Sequence, residues 1–377
     1  MKLQFNFIAE IGFPGIKFKA LFDSFWPDYR KWLESEPNKA RKRADLETSI
    51  AAMEQYMPEM LPIYHNLCHA VQADELAAQF LTGFQPPPYL AACSQAVLLG
   101  EQTKLVRNYD YHPQLLEGTI LKSLWQNKQV IATTDCLAGV LDGVNEDGLS
   151  VSLTFGGRNV VGKGFGIPFI LRYILEFCST VDEAIQILLR VPCHMSYNVT
   201  VLDQSGAYKT VFLSPDRDTS VNDHMFTTNH QEEIDWEENA VFNKTEKRYE
   251  FLNDRLADPD ITQDELIDFF QKKPLYSHLF SKGFGTVYTA IYHPKSRLVE
   301  YRWPNITIHQ SINYFTEYSQ IVQVKDQAMD QKTVDALAKF KKTEDIDAPS
   351  RAEALDKMPK KRRKKNLALR KINLRMS

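Results

Sequence analysis

Residues 92–110, Ala-Cys-Ser-Gln-Ala-Val-Leu-Leu-Gly-Glu-Gln-Thr-Lys-Leu-Val-Arg-Asn-Tyr-Asp, constrain this chain more than any other stretch. Cys93 heads an apolar run through Ala96, Val97, Leu98 and Leu99. Gly100, Glu101 and Gln102 signal a turn, and Leu105 and Val106 return to end in Arg107, Asn108 and Asp110. So short a connection makes the two strands antiparallel neighbours, which brings Arg107 and Asp110 within side-chain reach of Cys93. A thiol between a guanidinium and a carboxylate is a way to form and orient a thiolate, so Cys93 is the candidate nucleophile. The competing reading of Arg107 and Asp110 is a structural ion pair at a strand end.

The flanking sequence sets the fold. Residues 1 to about 85 keep apolar residues mostly three and four apart, as in Ile50, Met53, Tyr56 and Met57, which predicts helices. Pro86, Pro87 and Pro88 break any helix and lead stiffly into Cys93. Short strands are expected over 94–99, 103–109, 117–124, 129–134, 138–144 and 149–155, with Asn127-Lys128 at a turn and Gly148 able to take positive φ. This antiparallel meander is expected to form one layer of the core.

Helical periodicity returns at 166–178, with Pro168 in the first turn, and at 180–189 behind Thr180 as N-cap. A hairpin over 196–203 and 207–213, a strand at 224–229, helices at 243–256 and 263–271, and strands at 285–293 and 297–303 complete the pattern. The expectation is an α+β fold, two antiparallel sheets between helices, with a helical N-terminal segment over 1–92, a core over 93–340 and a distinct tail over 341–377.

The 377 residues, 44% hydrophobic and 25% charged, suffice for a large core. Residues 1–10 lack the apolar run of a signal peptide and no window approaches a membrane span, so a soluble cytoplasmic chain without membrane association is expected. Five cysteines, odd in number and without a C-x-x-C pair, argue against a disulfide framework or a zinc site. Cys136 and Cys178 read as buried small hydrophobes. The net charge of −3 conceals ten Lys or Arg and no acid between residues 357 and 375. That basic tail is read as a solvated segment, with a nucleic-acid or anionic contact as the functional alternative.

Arg107-Asn108-Tyr109-Asp110, at its distance after Cys93, resembles the element that follows the nucleophile in N-terminal-nucleophile (Ntn) hydrolases of the penicillin acyltransferase family (peptidase family C45), and more distantly the choloylglycine hydrolases. The likeness extends to Leu141-Asp142-Gly143-Val144-Asn145-Glu146-Asp147-Gly148-Leu149, to Thr227-Thr228-Asn229-His230, to Arg248-Tyr249, and to Gly285-Thr286-Val287-Tyr288 through Tyr292-His293-Pro294. It covers roughly residues 50 to 320. The sequence departs from the family where Ala92 replaces Gly, Ser94 replaces Thr and Val106 replaces a common Gly.

The resemblance implies a four-layer αββα sandwich, the Ntn-hydrolase fold, and a precursor that cuts its own Ala92-Cys93 bond, giving an α/β heterodimer. Cys93, with its new α-amine as base, would then form a thioester with a small-molecule N-acyl amide. Arg107 would stabilise the thiolate or a substrate carboxylate, Asp110 would hold the α-amine, and Asn229 would donate to the oxyanion. Thr154 falls where choloylglycine hydrolases carry an oxyanion Asn, and Arg248 and His230 go with it to the substrate side. No cofactor is implied; a coenzyme A thioester is the co-substrate in the alternative reading as an N-acyltransferase. An uncut binding protein of the same fold is the non-enzymatic alternative. His112, His194 and His230 are candidates for a Cys-His dyad, each also readable as an ordinary surface or core histidine. With Arg107 lowering the thiol pKa, activity is expected to rise through a pKa near or below 7. Gly156-Gly157-Arg158 and residues 162–166 read as a mobile loop bordering the site.

Overall fold

The computed structural model describes residues 2–12, 14–40, 43–126, 128–326 and 334–335. Asn127 and the basic tail over 341–377 lie outside them. The chain opens with β1 (Lys2–Gly12), then helices α1 (Ile16–Leu33), α2 (Glu36–Ala40), α3 (Leu46–Tyr56), α4 (Leu61–Val71) and α5 (Glu75–Leu81). Strands β2 (Ala92–Leu98), β3 (Lys104–Tyr111), β4 (Thr119–Leu124), β5 (Gln129–Asp135), β6 (Gly139–Asn145) and β7 (Ser150–Phe155) follow. Next come α6 (Ile167–Phe177), α7 (Val181–Arg190), β8 (Tyr197–Leu202), β9 (Tyr208–Leu213), β10 (Ser220–Asn222) and β11 (Phe226–Thr227). The described part closes with α8 (Glu237–Asn243), α9 (Thr245–Leu256), α10 (Gln263–Phe270), β12 (His278–Leu279), β13 (Phe284–His293), β14 (Leu298–Trp303), β15 (Ile306–Ser311) and β16 (Tyr318–Lys325).

Local chemistry sets several helix starts. Asp45 and Asp74 accept the Thr48 and Ala77 N–H groups at 2.8 and 2.9 Å. Thr262 and Glu265 form a reciprocal capping box at the start of α10. The strands assemble two sheets, one in the order β10-β9-β8-β7-β6-β5-β4-β1-β16 and one in the order β11-β2-β3-β13-β14-β15, with β12 on β13.

The sheets face each other across an apolar layer that includes Cys93, Tyr109, Ile131, Leu141, Tyr288 and Tyr292. Helix α6 covers the outer face of the first sheet so closely that a Cβ on Gly143 would meet Leu175 at 2.6 Å and Ala132 at 2.8 Å. Helices α9 and α10 cover the second, packing Leu252, Leu266, Ile267 and Phe270 on Ala96, Leu98 and Val106. This is the expected α+β four-layer αββα sandwich. Among the described residues no helix is long and apolar enough to cross a membrane.

Three expectations need correction. The first segment is not helical throughout, because β1 is a strand, parallel to β4 on one side and antiparallel to β16 on the other. Its alternation of Leu3, Phe5, Phe7, Ala9 and Ile11 with mostly polar partners has the period of a strand. The meander is not one layer, since β2 and β3 belong to the second sheet and β4 to β7 to the first. The loop beside the site is fastened: Arg158 is buried and bridges Asp216 and Asp235, and Gly162 and Phe165 donate to the His194 and Pro192 carbonyls.

Candidate active site

The Ala92-Cys93 peptide is the first of β2, and pairing with β3 sets Ala92 opposite Asp110, Cys93 opposite Tyr109 and Gln95 opposite Arg107. The two-residue period then divides the side chains. Cys93, Gln95, Arg107 and Tyr109 face the gap between the sheets. Ser94 and Asn108 face the helices, where Asn108 donates to the Phe270 and Leu275 carbonyls at 2.8 and 3.1 Å.

Arg107 is wholly buried and gives its donors to four partners. Nη2 lies 3.2 Å from Cys93 Sγ, Nε donates to the Leu153 carbonyl at 2.8 Å, and Nη1 reaches Tyr288 Oη at 3.1 Å and the Asp142 carboxylate. Asp142 in turn accepts the hydroxyls of Tyr288 at 2.7 Å and Tyr292 at 2.6 Å. Burial opposes the guanidinium charge, yet Cys93, Tyr288 and Asp142 around it hold its pKa above the usual value. The Cys93 thiol is pushed up by its own burial, against the pull of Arg107. In the uncut chain desolvation therefore outweighs the cation, and the expectation of a lowered thiol pKa does not hold there.

On the backbone side of Cys93, Asn229 Oδ1 accepts the Cys93 N–H at 3.0 Å and an N–H of Arg248 Nη2 at 2.6 Å. Both neighbours are donors, which fixes the orientation of the amide. Its Nδ2 faces the Phe155 carbonyl at 3.2 Å. Arg248, carried by α9, also donates to the Cys93 carbonyl and to Ser94 Oγ at 2.8 Å. It lies 4.0 Å from Asp110 Oδ2. Asp110 accepts the Thr286 hydroxyl at 2.5 Å, and burial raises its pKa to about 6 against Arg248 and Thr286.

Thus Cys93, Arg107, Asp110, Asn229 and Arg248 lie together around the Ala92-Cys93 bond. Asn229 meets that bond as an acceptor through Oδ1, and its amide donor is turned to Phe155, which corrects the expected role as oxyanion donor. Thr154 stands behind Asn229: its hydroxyl lies 2.7 Å from the Thr228 carbonyl it donates to, and accepts from Asn198 at 3.0 Å. With its proton given to Thr228, it does not fit the expected oxyanion role.

The described contacts of the three histidines lead away from Cys93 and do not form a dyad with it. His230 Nδ1 lies 2.8 Å from Thr245 Oγ1, and burial with the Arg248 charge pushes its pKa down to about 4. His194 Nδ1 faces the Phe165 carbonyl, and His112 Nδ1 accepts from the Gln114 N–H. Sequence reasoning gave no role to Asp142, Tyr288, Tyr292, Thr286 or Ser94. All five lay inside stretches already noted, and the signal for Tyr288 and Tyr292 was their even spacing on one strand face. Among the described residues no group of three or more His, Cys, Asp or Glu could hold a metal ion.

The family profile described as Acyl-coenzyme A:6-aminopenicillanic acid acyl-transferase matches residues 98–307. The chain belongs to this family. As a member of the acyl-transferase family it is an enzyme that hydrolyses amides or transfers acyl groups. The matched stretch begins beyond Cys93, so the assignment of the nucleophile rests on the geometry above.

Solved structures similar to the chain include a mutant of conjugated bile acid hydrolase from Clostridium perfringens, at 13% identity and TM-score 0.41, covering 63% of this chain and 99% of that one. Penicillin V acylase from Agrobacterium tumefaciens stands at 14% and 0.43, over 59% and 86%. The Caenorhabditis elegans ortholog of N-acylethanolamine-hydrolyzing acid amidase stands at 16% and 0.38, over 62% and 99%. No curated protein matches the chain.

Proposed function

We propose that the chain is a self-processing cysteine Ntn enzyme that cuts Ala92-Cys93 and then cleaves or transfers acyl groups at amide C–N bonds through a Cys93 thioester. The observation that carries this reading is that both reacting atoms of Cys93 are held. Sγ lies against Arg107 at 3.2 Å, and the backbone nitrogen lies against Asn229 Oδ1 at 3.0 Å.

In self-processing Cys93 Sγ attacks the Ala92 carbonyl carbon, the C–N bond breaks as its nitrogen takes the thiol proton, and water hydrolyses the thioester to leave an Ala92 carboxylate. The freed α-amine, with an ordinary pKa of about 8, then takes the thiol proton when substrate arrives. A substrate carbonyl acylates Sγ, the amine leaves with that proton, and water or a second amine removes the acyl group.

Within this scheme Asn229 orients the α-amine, Arg107 stabilises the thiolate, and Asp110 balances the charge of Arg248 beside the Cys93 carbonyl. His230 stays neutral beside Asn229, at the edge of the substrate side. Burial of residues 87–92 in the uncut chain closes the acyl side, consistent with processing before turnover.

The test is intact mass under denaturing conditions. Two fragments divided at Ala92-Cys93 in the wild type, and a single chain in Cys93→Ala with no acyl turnover, are the expected outcome. A Cys93→Ser chain retains some cleavage, since a hydroxyl can attack the same carbonyl. A wild-type preparation that stays at 43.4 kDa overturns self-processing and favours the uncut binding protein. Product analysis with a coenzyme A thioester against water alone separates acyl transfer from hydrolysis.

A further inference from the structure

A hollow of about 270 Å³ opens beside the site, sharing Thr227 and His230 with the turn that carries Asn229. Its walls are aromatic. Phe212 stacks on His224 at 5.4 Å with the rings 13° apart, and Tyr249 stands 4.8 Å from Phe226 and 5.0 Å from His230. Glu232 is the one carboxylate among the lining residues, and no lysine or arginine is among them. In the stretch that follows, Glu233, Glu237 and Glu238 are further acids, while Asp235 is taken up by Arg158 and Arg217.

Such a surface suits one ligand chemistry. Ring faces carry negative potential and attract an organic cation, and a carboxylate at the mouth adds to that field. His230 is an uncharged ring at neutral pH, since burial and Arg248 push its pKa down to about 4. Arg248, the cation that acts on His230 from behind the wall, gives its donors to Cys93, Ser94 and Asn229 and faces Asp110 at 4.0 Å. Its charge is balanced within the site. The acyl side of Cys93 is filled in this chain by residues 89–92, buried under α1 with Tyr89 edge-on to Trp32 at 6.4 Å. The hollow beside Asn229 is open.

We infer that this aromatic hollow binds an ammonium group carried on the amine half of the substrate. The inference rests on the function proposed above for its place in the reaction, but the binding itself does not.

The experiment therefore has two arms. In the first, the full-length Cys93→Ala chain is titrated with choline and with 3,3-dimethylbutan-1-ol, its uncharged isostere, by ligand-observed NMR. Choline should bind about five- to tenfold more tightly. Glu232→Gln, at an exposed position, and Tyr249→Leu should each remove most of that preference. Equal binding of the two probes, no choline binding, or a preference untouched by both substitutions overturns the inference.

In the second arm, two amides share one acyl group and differ only in a trimethylammonioethyl or a 3,3-dimethylbutyl amine. The kcat/KM ratio of wild type should favour the cation, and the ratio should fall towards one in Glu232→Gln. A ratio of one in wild type overturns the placement on the amine half. A choline preference in a chain that neither self-cleaves nor turns over amides overturns the proposed function and leaves the hollow standing; equal probe binding in an active enzyme does the reverse.

Discussion

The side-chain oxygen of Asn229 accepts the backbone N–H of Cys93 at 3.0 Å, across 136 residues of sequence. The same oxygen accepts from Arg248 at 2.6 Å, so the amide is held with its carbonyl towards the nitrogen that self-cleavage would free. A group in that position meets the α-amine in either protonation state. It orients a neutral amine or an ammonium alike, with no charge of its own to favour either.

Substituting that oxygen should separate binding from charge. Asn229→Ala leaves the Cys93 nitrogen and the Arg248 guanidinium each short of a buried partner, and should slow both self-cleavage and turnover about ten- to hundredfold. Asn229→Asp keeps an acceptor but adds a negative charge, which favours the ammonium form. The limb of the rate profile that requires the free amine should then move to higher pH. Rate profiles of processed enzyme check this, and an unmoved limb in Asn229→Asp would show that the α-amine is not the base.

Arg107 and Asp142 are both fully buried, so removing either leaves an unpaired charge between the sheets. Arg107→Met and Asp142→Asn should each cost about 3–5 kcal/mol. The double variant should regain most of that loss while remaining inactive, because the thiol has still lost its cation. Thermal melts of the singles and the double form the cycle. Purely additive losses would mean that the pair is not coupled.

The fold and the clustering of Cys93, Arg107 and Asp110 were legible for one physical reason: short antiparallel strands announce themselves by turns and alternation, and these three residues share a hairpin whose register a short loop fixes. What pairs with that hairpin was not legible. Sheet partnership is non-local, so nothing near β1 says that it lies between β4 and β16, and nothing near Asp142 says that it meets Arg107 from the opposite sheet. Asn229 was found as a residue but misread as a donor, because the orientation of an amide is decided by neighbours such as Arg248 that only the packed chain supplies. The short strands β10 and β12 and helix α8 carry too few residues for periodicity to single them out.

The charge of Asp110 should be visible in the self-cleavage profile. Burial raises its pKa to about 6, so above that pH it is ionised and, as a like charge, helps to keep the Cys93 thiol above its usual value. Self-cleavage of freshly refolded wild type should therefore accelerate as pH rises into the alkaline range. Asp110→Asn should move that limb down, and loss of Arg107 should move it up, whatever either does to the maximal rate. An upward shift in Asp110→Asn would reverse the electrostatics argued for the site.

Glu176 offers a stability test away from the chemistry. It is buried in α6 beside Arg172 at 3.1 Å, and desolvation raises its pKa to about 7 from an ordinary 4.5. A carboxyl with a raised folded pKa lends stability in full below its unfolded pKa, and that stability is lost as pH rises through the folded value. Melting temperature of the uncut Cys93→Ala chain should include a decline between about pH 4.5 and 7, which Glu176→Gln flattens. The carboxylates held low, Glu300 and Asp216 at about 2, act in a more acidic window. Asp110, raised to about 6, adds a decline of its own, and His194 and His230, lowered to about 4, act in the opposite sense, so the share of Glu176 is the difference between Cys93→Ala with and without Glu176→Gln.

Finally, self-cleavage should not release residues 1–92. Strand β1 is bonded to β16 from Lys2 opposite Lys325 to Ala9 opposite Tyr318, and to β4 from Ile8 opposite Thr119 to Gly12 opposite Ser123. Helix α1 buries Trp26, Tyr29 and Trp32, and the Tyr29 hydroxyl donates to Glu117 at 2.6 Å while accepting the Cys136 N–H at 2.9 Å. Losing this segment would split the first sheet and bare the edges of β4 and β16, an invitation to aggregate. The two pieces should co-elute in size exclusion at the mass of the uncut chain and part only in denaturant. Residues 93–377 expressed alone should be insoluble, and soluble again when residues 1–92 are supplied as a separate chain. A soluble, cooperatively melting and active 93–377 fragment would show that the sheet closes without β1, and that the first segment is a disposable leader.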